Sequence, residues 1–338
     1  MSENKNPNRH EPWELDQMQS LPLDLKIRMS LTRLRIFFEK FENEVYVSFS
    51  GGKDSTVLAD MVAKYCSECG HNKLTLCFSD TGLEYPEIRK FVPQFAKYLE
   101  LKYNIEIELV TVSPEMNFKE VILKVGYPIG SKKIARMIRD CQNPTENNKA
   151  TVNLYMTGIK RDGTITKSFK LSKRWIPMID SKFKVSDQCC EIMKKKPIKI
   201  YQKESGKMPI LGTMACESSA RRQAWLQNGC NSFDSKDPKS QPMSFWTEQD
   251  VLNYLKIYQI PYASVYGDII EVDEQLTTSG CKRTGCMFCM FGCHLEKKPN
   301  RFQQMQETHP KLYEYCMKPL EENGLGLDEI LKFNNIPH

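Results

Sequence analysis

The chain has 338 residues, 40% hydrophobic and 27% charged, enough to bury one large core or two modest ones. Its formal charge of +6 is a mild excess that neither requires nor excludes an anionic partner. No apolar run reaches the ~18–20 residues of a membrane span, and the polar start MSENKNPNRHEPWELDQ lacks an apolar signal core, so no membrane association and a cytoplasmic address are expected.

Residues 1–22 read as a flexible tail. Leu25, Ile27, Leu31, Leu34, Phe37 and Phe38 then fall at helical spacing over 23–42. Val45 to Phe49 is a short β-rich run that ends on two glycines, and Val57, Leu58, Met61, Val62 and Tyr65 predict a helix after it. Leu74–Phe78 and Ile105–Val112 read as strands, with helices over 84–100 and 115–125. This alternation predicts parallel strands covered by helices, a doubly wound α/β domain over 23–270 whose ligand sits at the carboxyl ends of the strands. Near 140–186 the chain turns polar and basic, and Cys141–Thr164 reads as loop or insertion. Pro209–Thr213 looks like one more strand, helices follow at 217–227 and 247–258, and 271–338 is a cysteine-rich, mainly helical end.

The strongest local signal is Ser50-Gly51-Gly52-Lys53-Asp54-Ser55, between a strand and a helix. The glycines reach backbone angles closed to other residues and let N–H groups face a ligand. The helix start aims its unpaired N–H groups and positive dipole end at the same point. Lys53 adds a full charge, and Ser50 and Ser55 add hydroxyls, Ser55 being also a candidate helix cap. This is a phosphate or pyrophosphate cradle, and its glycine spacing is neither Walker-type nor GxGxxG. It resembles the SGGxDS signature of PP-loop ATP pyrophosphatases, in the adenine nucleotide alpha hydrolase-like superfamily.

Two further segments resemble the phosphoadenosine phosphosulfate (PAPS) reductase-like branch of that superfamily. Asp80-Thr81-Gly82, with Glu84 and the following Pro86-Glu87, is similar to its DTG-x-x-x-PE segment. The resemblance implies a place beside adenosine, where a carboxylate binds a ribose hydroxyl or Mg2+; the plain alternative is a surface turn capping a helix. Gly212 to Arg222 resembles G-x-R-x-x-[DE]-S-x-x-R, with Glu217, Ser218 and Arg221 matching and Met214 replacing the usual arginine. Lys132, Lys133 and Arg136 are candidates to supply the missing charge, or else a solvated helix face.

Thirteen cysteines without an export signal argue for metal or redox chemistry rather than a disulfide framework. Cys189-Cys190, in CC-x-x-x-K-x-x-P, and the distant Cys286-x-x-Cys289 resemble the [4Fe–4S] ligands of the iron–sulfur sulfonucleotide reductases. The flanks Trp246-Thr247-Glu248-Gln249-Asp250-Val251 and Val265-Tyr266 add to that likeness. Cys281, Cys286, Cys289 and Cys293 form a competing local set, similar to that of DNA-phosphorothioation sulfurtransferases, and a zinc site is a further reading. Cys66 and Cys69 read as core, and His294 as a cap for the helix after it.

The resemblance implies an enzyme that binds ATP with Mg2+, adenylates an acceptor with loss of pyrophosphate, and couples this to cluster-assisted sulfur transfer. Lys53 and Asp54 are the catalytic candidates in the loop, with Cys293 as a candidate sulfur-carrying thiol. A nucleic acid or a protein is the expected acceptor, and self-association is a further expectation. Two alternatives stay open. One is a PAPS or adenosine phosphosulfate (APS) reductase that releases sulfite, its nucleophile at Cys293 or Cys316 because the family's C-terminal ECG-x-H tail is absent. The other is a nucleotide-binding subunit without turnover.

Overall fold

The computed structural model describes residues 9–233 and 237–338. The chain divides into two compact units, neither continuous in sequence. The first comprises Met1–Asp80, Glu84–Ser113 and Ile198–Thr284, and the second Thr81–Leu83, Pro114–Pro197 and Gly285–His338.

In chain order the elements begin with α1 (Pro12–Gln19), α2 (Leu23–Lys40), β1 (Val45–Ser48), α3 (Lys53–Glu68), β2 (Lys73–Ser79), α4 (Pro86–Tyr103) and β3 (Glu106–Val112). Then come α5 (Phe118–Val125), β4 (Ile129–Gly130), α6 (Lys132–Gln142), α7 (Lys149–Thr157), α8 (Lys196–Ser205), β5 (Met208–Leu211) and α9 (Ser219–Asn228). The rest are β6 (Asn231–Ser232), β7 (Lys239–Ser240), α10 (Glu248–Ile257), β8 (Ile269–Val272), β9 (Gln275–Thr278), β10 (Met290–Phe291), α11 (Arg301–Thr308), α12 (Pro310–Met317) and α13 (Leu327–Phe333).

The first unit is built on a six-stranded sheet in the order β3-β2-β1-β5-β7-β6, parallel except for the edge pair β6–β7. β1 lies in its interior, with Val47 opposite both Leu76 and Ile210. Val45, Tyr46 and Val47 are all buried, which is why this strand reads as an unbroken apolar run rather than an alternating one. From β1 the chain steps outward through β2 to β3 and later returns to β1's other side as β5. The strand order therefore reverses at β1, and in open α/β sheets ligands bind outside the carboxyl ends of the strands at such a point.

The amphipathic helix expected at 23–42 is α2, which buries Leu34, Phe37 and Phe38 in the core of this unit. Residues 1–8 lie outside the described residues, but 12–19, expected to be part of a tail, form α1. Pro12 opens it, Glu14 accepts the Glu11 N–H at 2.6 Å, and Leu15 is buried. His10 stacks on Trp225 with ring centroids 4.7 Å apart, and Arg222 reaches Asp16 at 3.1 Å.

The second unit has its own core, including Phe118, Val121, Ile138, Trp175, Ile330 and Leu331. β4 pairs in parallel with β10, and the Tyr127 hydroxyl donates to Leu325 O at 3.1 Å. Part of the stretch 141–164 expected as loop is the helix α7. Asn148 fixes its approach by accepting the Thr145 N–H at 2.7 Å, and Gly158 closes it with φ +79°. The Asn-Asn-Lys run before it marked a boundary, whereas Ala150, Leu154 and Met156 favour helix. No helix among the described residues is long and apolar enough to cross a membrane.

Candidate functional site

β1 ends at Ser48 and α3 begins at Lys53, so the turn between them sits at the sheet's reversal point. Gly51 has φ +71°, and a β-carbon there would lie 2.9 Å from Ile88 Cγ2 and from Val92 Cγ2 on α4. Only glycine fits both the angle and the packing. A β-carbon on Gly52, the residue before α3, would meet Ser50 Oγ, Thr284 Oγ1 and the Tyr266 hydroxyl, each at 3.3 Å. These three hydroxyls line a small polar cradle around the helix start.

The Ser50 N–H donates to Ser55 Oγ at 3.2 Å, and the two hydroxyls lie 3.0 Å apart. Ser55 Oγ in turn donates to Gly52 O at 2.9 Å. Ser55 therefore braces the turn from within the first turn of α3 and is not its cap; Gly52 holds the cap position. The Lys53 N–H donates to the Tyr266 hydroxyl at 3.1 Å, which shares a 2.6 Å hydrogen bond with Thr284 Oγ1.

Lys53 is only 5% exposed. Its ammonium lies 3.1 Å from Glu248 Oε1 and 3.7 Å from Asp54 Oδ1, and donates to Lys282 O at 3.2 Å. Burial pulls its pKa down, but Asp54 and Glu248 outweigh that and the net shift is upward. Asp54 shows the reverse balance. Burial raises its carboxyl pKa, Lys53, Arg283 and Arg221 oppose, and the net shift is again upward. Asp54 Oδ1 is buried and accepts no hydrogen bond. A carboxylate oxygen without a donor, beside a polar cradle, suits a bound cation carrying phosphate oxygens.

Gly212, just past β5, packs on the loop: a β-carbon there would lie 3.2 Å from Asp54 O. Glu217 Oε2 accepts the Met214 N–H at 2.8 Å and is ion-paired with Arg221. Ser218 Oγ accepts the Arg221 N–H at 3.3 Å and caps α9. Met214, where the family has arginine, is buried in the core. Within this unit the basic groups acting on Asp54 are Lys53, Arg283 and Arg221. Lys132, Lys133 and Arg136 belong to the second unit. Cys216, Ser218, Arg222 and Leu15 help line a cavity of about 340 Å³. Asp54 and Glu248 also act on the Cys216 thiol, whose pKa is raised chiefly by burial.

Asp80, at the end of β2, accepts from Arg89 Nη2 at 2.9 Å. α4 is preceded by Tyr85, so the acidic turn does not cap it. Glu84 lies in the first unit with Asp80, while Thr81 and Gly82 belong to the second, where Thr81 Oγ1 accepts the Leu83 N–H at 3.2 Å and Gly82 has φ +74°.

Cys189, Cys190, Cys286, Cys289 and Cys293 all belong to the second unit. Cys189-Cys190 opens a π-helical turn, Glu191–Lys195, of the kind often found at functional sites. Burial raises the Cys189 thiol, and Cys190, Cys286 and Cys289 raise it further, so these four thiols lie close enough to act on one another. Burial also raises Cys289, while Arg301 and Lys194 partly restrain the shift. Arg301 Nη1 donates to Cys289 O at 2.8 Å. Cys293 is buried, its Sγ donates to Met290 O at 2.9 Å, and burial pushes its pKa up to about 12. Among the described residues, no three His, Cys, Asp or Glu side chains converge closely enough to hold one metal ion. Cys189, Cys190, Cys286 and Cys289 are four soft sulfur donors carried by one unit.

Cys281 lies in the first unit, where Tyr85 and Glu87 act on its thiol. Cys66 is core as expected, but Cys69 is exposed because it sits past the last turn of α3. His294 does not cap a helix. Its ring packs edge-on against Trp175 with centroids 5.0 Å apart, and Asn300 caps α11. In the sequence Glu248 and Tyr266 stand out only as flanks, and Arg283 and Thr284 carry no signal of their own.

The family model described as the phosphoadenosine phosphosulfate reductase domain matches residues 44–162 and 161–291. Uncharacterized protein MJ0973 of Methanocaldococcus jannaschii is 24% identical over 316 residues, 90% of this chain and 55% of that protein. Uncharacterized protein MJ0066 of the same organism is 23% identical over 287 residues, 84% of this chain and 43% of that one. The chain thus spans about half the length of these relatives. Among solved structures, a PAPS reductase from Candida auris in a phosphate complex aligns with a TM-score of 0.38 at 14% identity, covering 78% of this chain and 97% of its own. The U34-tRNA thiolase NcsA from Methanococcus maripaludis, with its [4Fe-4S] cluster, aligns with a TM-score of 0.37 at 14% identity, covering 91% and 80%.

Proposed function

The chain belongs to the phosphoadenosine phosphosulfate reductase domain family, and we propose that it binds ATP, adenylates an acceptor with loss of pyrophosphate, and so prepares that acceptor for sulfur. The observation that carries this reading is the complete loop. Gly51 and Gly52 hold its shape, and a buried Lys53 stands at the helix start beside a carboxylate oxygen that accepts no hydrogen bond. A sulfonucleotide has no β-phosphate and makes no use of a full pyrophosphate cradle.

An acceptor oxygen forms a bond to the α-phosphorus, the bond to the α–β bridging oxygen breaks, and pyrophosphate leaves with the electron pair. Lys53 and the amides at the start of α3 take up the charge that develops on the leaving oxygens. Arg221 and Arg283 balance the phosphates against Asp54. Asp54 Oδ1 would hold Mg2+, which would draw charge from the phosphate oxygens. Asp80, held by Arg89, and Glu84 are the carboxylates assigned to the adenosine. Sulfur at the sulfide level then bonds to the activated carbon, and AMP departs with the oxygen.

Cys189, Cys190, Cys286 and Cys289 would hold a [4Fe–4S] cluster, which supplies soft iron for binding sulfur. The burial of Cys293 and Cys316 speaks against either as the exposed nucleophile of a sulfite-releasing reductase.

The test uses the full chain purified without oxygen. Pyrophosphate and AMP formed from ATP with candidate acceptors support the proposal. Sulfite formed from PAPS or APS, with no pyrophosphate from ATP, overturns it. ATP bound tightly without turnover across those acceptors leaves the binding-subunit reading standing in its place.

A further inference from the structure

The second unit carries a basic surface that adenylation does not use. After α7, residues 158–170 form a short arm. Ile159 pairs antiparallel with Ile165, the Lys160 N–H donates to Thr164 O at 2.9 Å, and the Thr166 N–H donates to Gly158 O at 2.8 Å. Asp162 braces the tip by accepting from the Thr164 N–H and hydroxyl at 2.9 and 2.7 Å. Lys133 Nζ pins the returning strand at Ser168 O, 2.5 Å away. The arm is therefore built and held, yet it buries little. Ile165 is 78% exposed and Phe169 45% exposed, with Lys133 4.6 Å from the Phe169 ring centroid.

Charge follows the same face. Lys160, Arg161, Lys167 and Lys170 are exposed on the arm, and none of them is in an ion pair among the described residues. Lys132, Lys133 and Arg136 continue the charge along α6, and only Arg136 meets a carboxylate, Asp187 at 3.5 Å. At the far end of α6 a cavity of about 570 Å³ is lined by Lys124 and Lys184, with Arg139 ion-paired to Asp140 and Asp187 and Lys182 ion-paired to Glu329. That volume falls within the ~300–1,000 Å³ of small-ligand sites. Lys132 to Arg136 covers only roughly 6 Å of the helix at ~1.5 Å per residue, so most of the positive face lies on the arm.

The arm's cations, with Lys132 and Lys133 at the start of α6, have no ion-pair partner among the described residues and attract a polyanion, and exposed apolar and aromatic side chains beside them have no use for a plain one. Phosphate contacts paired with a stacking platform are the chemistry of an unpaired nucleic-acid strand. We infer that the arm and α6 bind a single-stranded segment of nucleic acid, with Phe169 and Ile165 against its bases and the arm's cations on its phosphates. This rests on the reading that the chain activates an acceptor, and names that acceptor's class.

The test measures fluorescence anisotropy of labelled oligonucleotides of about twelve nucleotides, as single-stranded RNA, single-stranded DNA and duplex, on the full chain over a salt series. Single strands should bind more tightly than duplex, and the RNA and DNA arms identify the source. Lys160→Gln with Arg161→Gln should lower the slope of log affinity against log salt by roughly 1.4, at ~0.7 per phosphate contact. Phe169→Ala should weaken binding about five- to 150-fold, from ~1–3 kcal/mol per stacked base. Unchanged ATP affinity in both variants checks their folding. Duplex bound as well as single strand, or variants that bind like the wild type, would overturn the inference. Strand binding without pyrophosphate release would sink the proposed reaction alone, whereas pyrophosphate released with some other acceptor and no strand binding would sink this inference alone.

Discussion

Replacing Lys53 with methionine separates the pyrophosphate cradle from the rest of the nucleotide site. In the fold the ammonium meets Glu248 Oε1 at 3.1 Å, Asp54 Oδ1 at 3.7 Å and Lys282 O at 3.2 Å. Glu248 is 51% exposed, so that pair contributes at most about 1 kcal/mol after solvent screening. The bond to the carbonyl contributes about 1.5 kcal/mol. Methionine keeps the apolar stem packed and removes the cost of burying an ammonium, so the variant should stay folded with about 1–2 kcal/mol lost. The nucleotide loses more. Charge-assisted bonds from Lys53 to the outer phosphates are worth about 1.5–3 kcal/mol, which makes ATP bind about 10–150-fold more weakly. AMP has no outer phosphates and should bind variant and wild type alike. Calorimetric titration with AMP and with an ATP analogue that resists cleavage at the α–β bridge measures both. Equal losses for the two ligands would move Lys53 to the α-phosphate, and no loss for the analogue would refute the cradle.

Gly51→Ala should cost about 2–5 kcal/mol, from left-handed strain of about 1–2 and overpacking against Ile88 and Val92 of about 1–3; urea midpoints measure it, and an unchanged midpoint would show that α4 gives way. Asp54→Asn should raise stability at neutral pH while abolishing pyrophosphate release. Burial lifts the Asp54 carboxyl above its unfolded value. Its contribution is therefore fully present below the ordinary carboxylate range and is lost as pH rises through the raised pKa. The stability gap between variant and wild type should close on acidification, and a gap that widens would reverse the assignment. Cys189→Ser should lose most of the bound iron and sulfide from anaerobically purified protein, and Cys281→Ser should not. Iron absent and zinc present in the wild type would overturn the cluster.

Much of the first unit can be read from the chain because its interior strands are buried on both faces. Val45–Val47 and Leu74–Phe78 leave unbroken apolar runs that alternate with long amphipathic helices. The loop is legible for the same reason in miniature: its chemistry depends on six adjacent residues. What surrounds it is not, because Tyr266 reaches the Lys53 N–H across 213 residues, and Glu248 and Arg283 arrive from equally distant segments. Glu248 opens α10 after the Thr247 cap, where an acidic residue is expected for helix reasons alone, so its pairing with Lys53 leaves no separate mark. Nor does distance along the chain follow the units. Cys281 lies closer in sequence to Cys286 than Cys189 does, yet Cys189 shares a unit with Cys286 and Cys281 does not. The basic stretch 132–199 shows no regular aromatic pattern along the chain. Its one exposed ring under a lysine, Phe169 beneath Lys133, joins residues brought together by the arm's return. That contact leaves no mark in the sequence, because Lys133 and Phe169 lie far apart along the chain and meet only once α6 and the arm are packed.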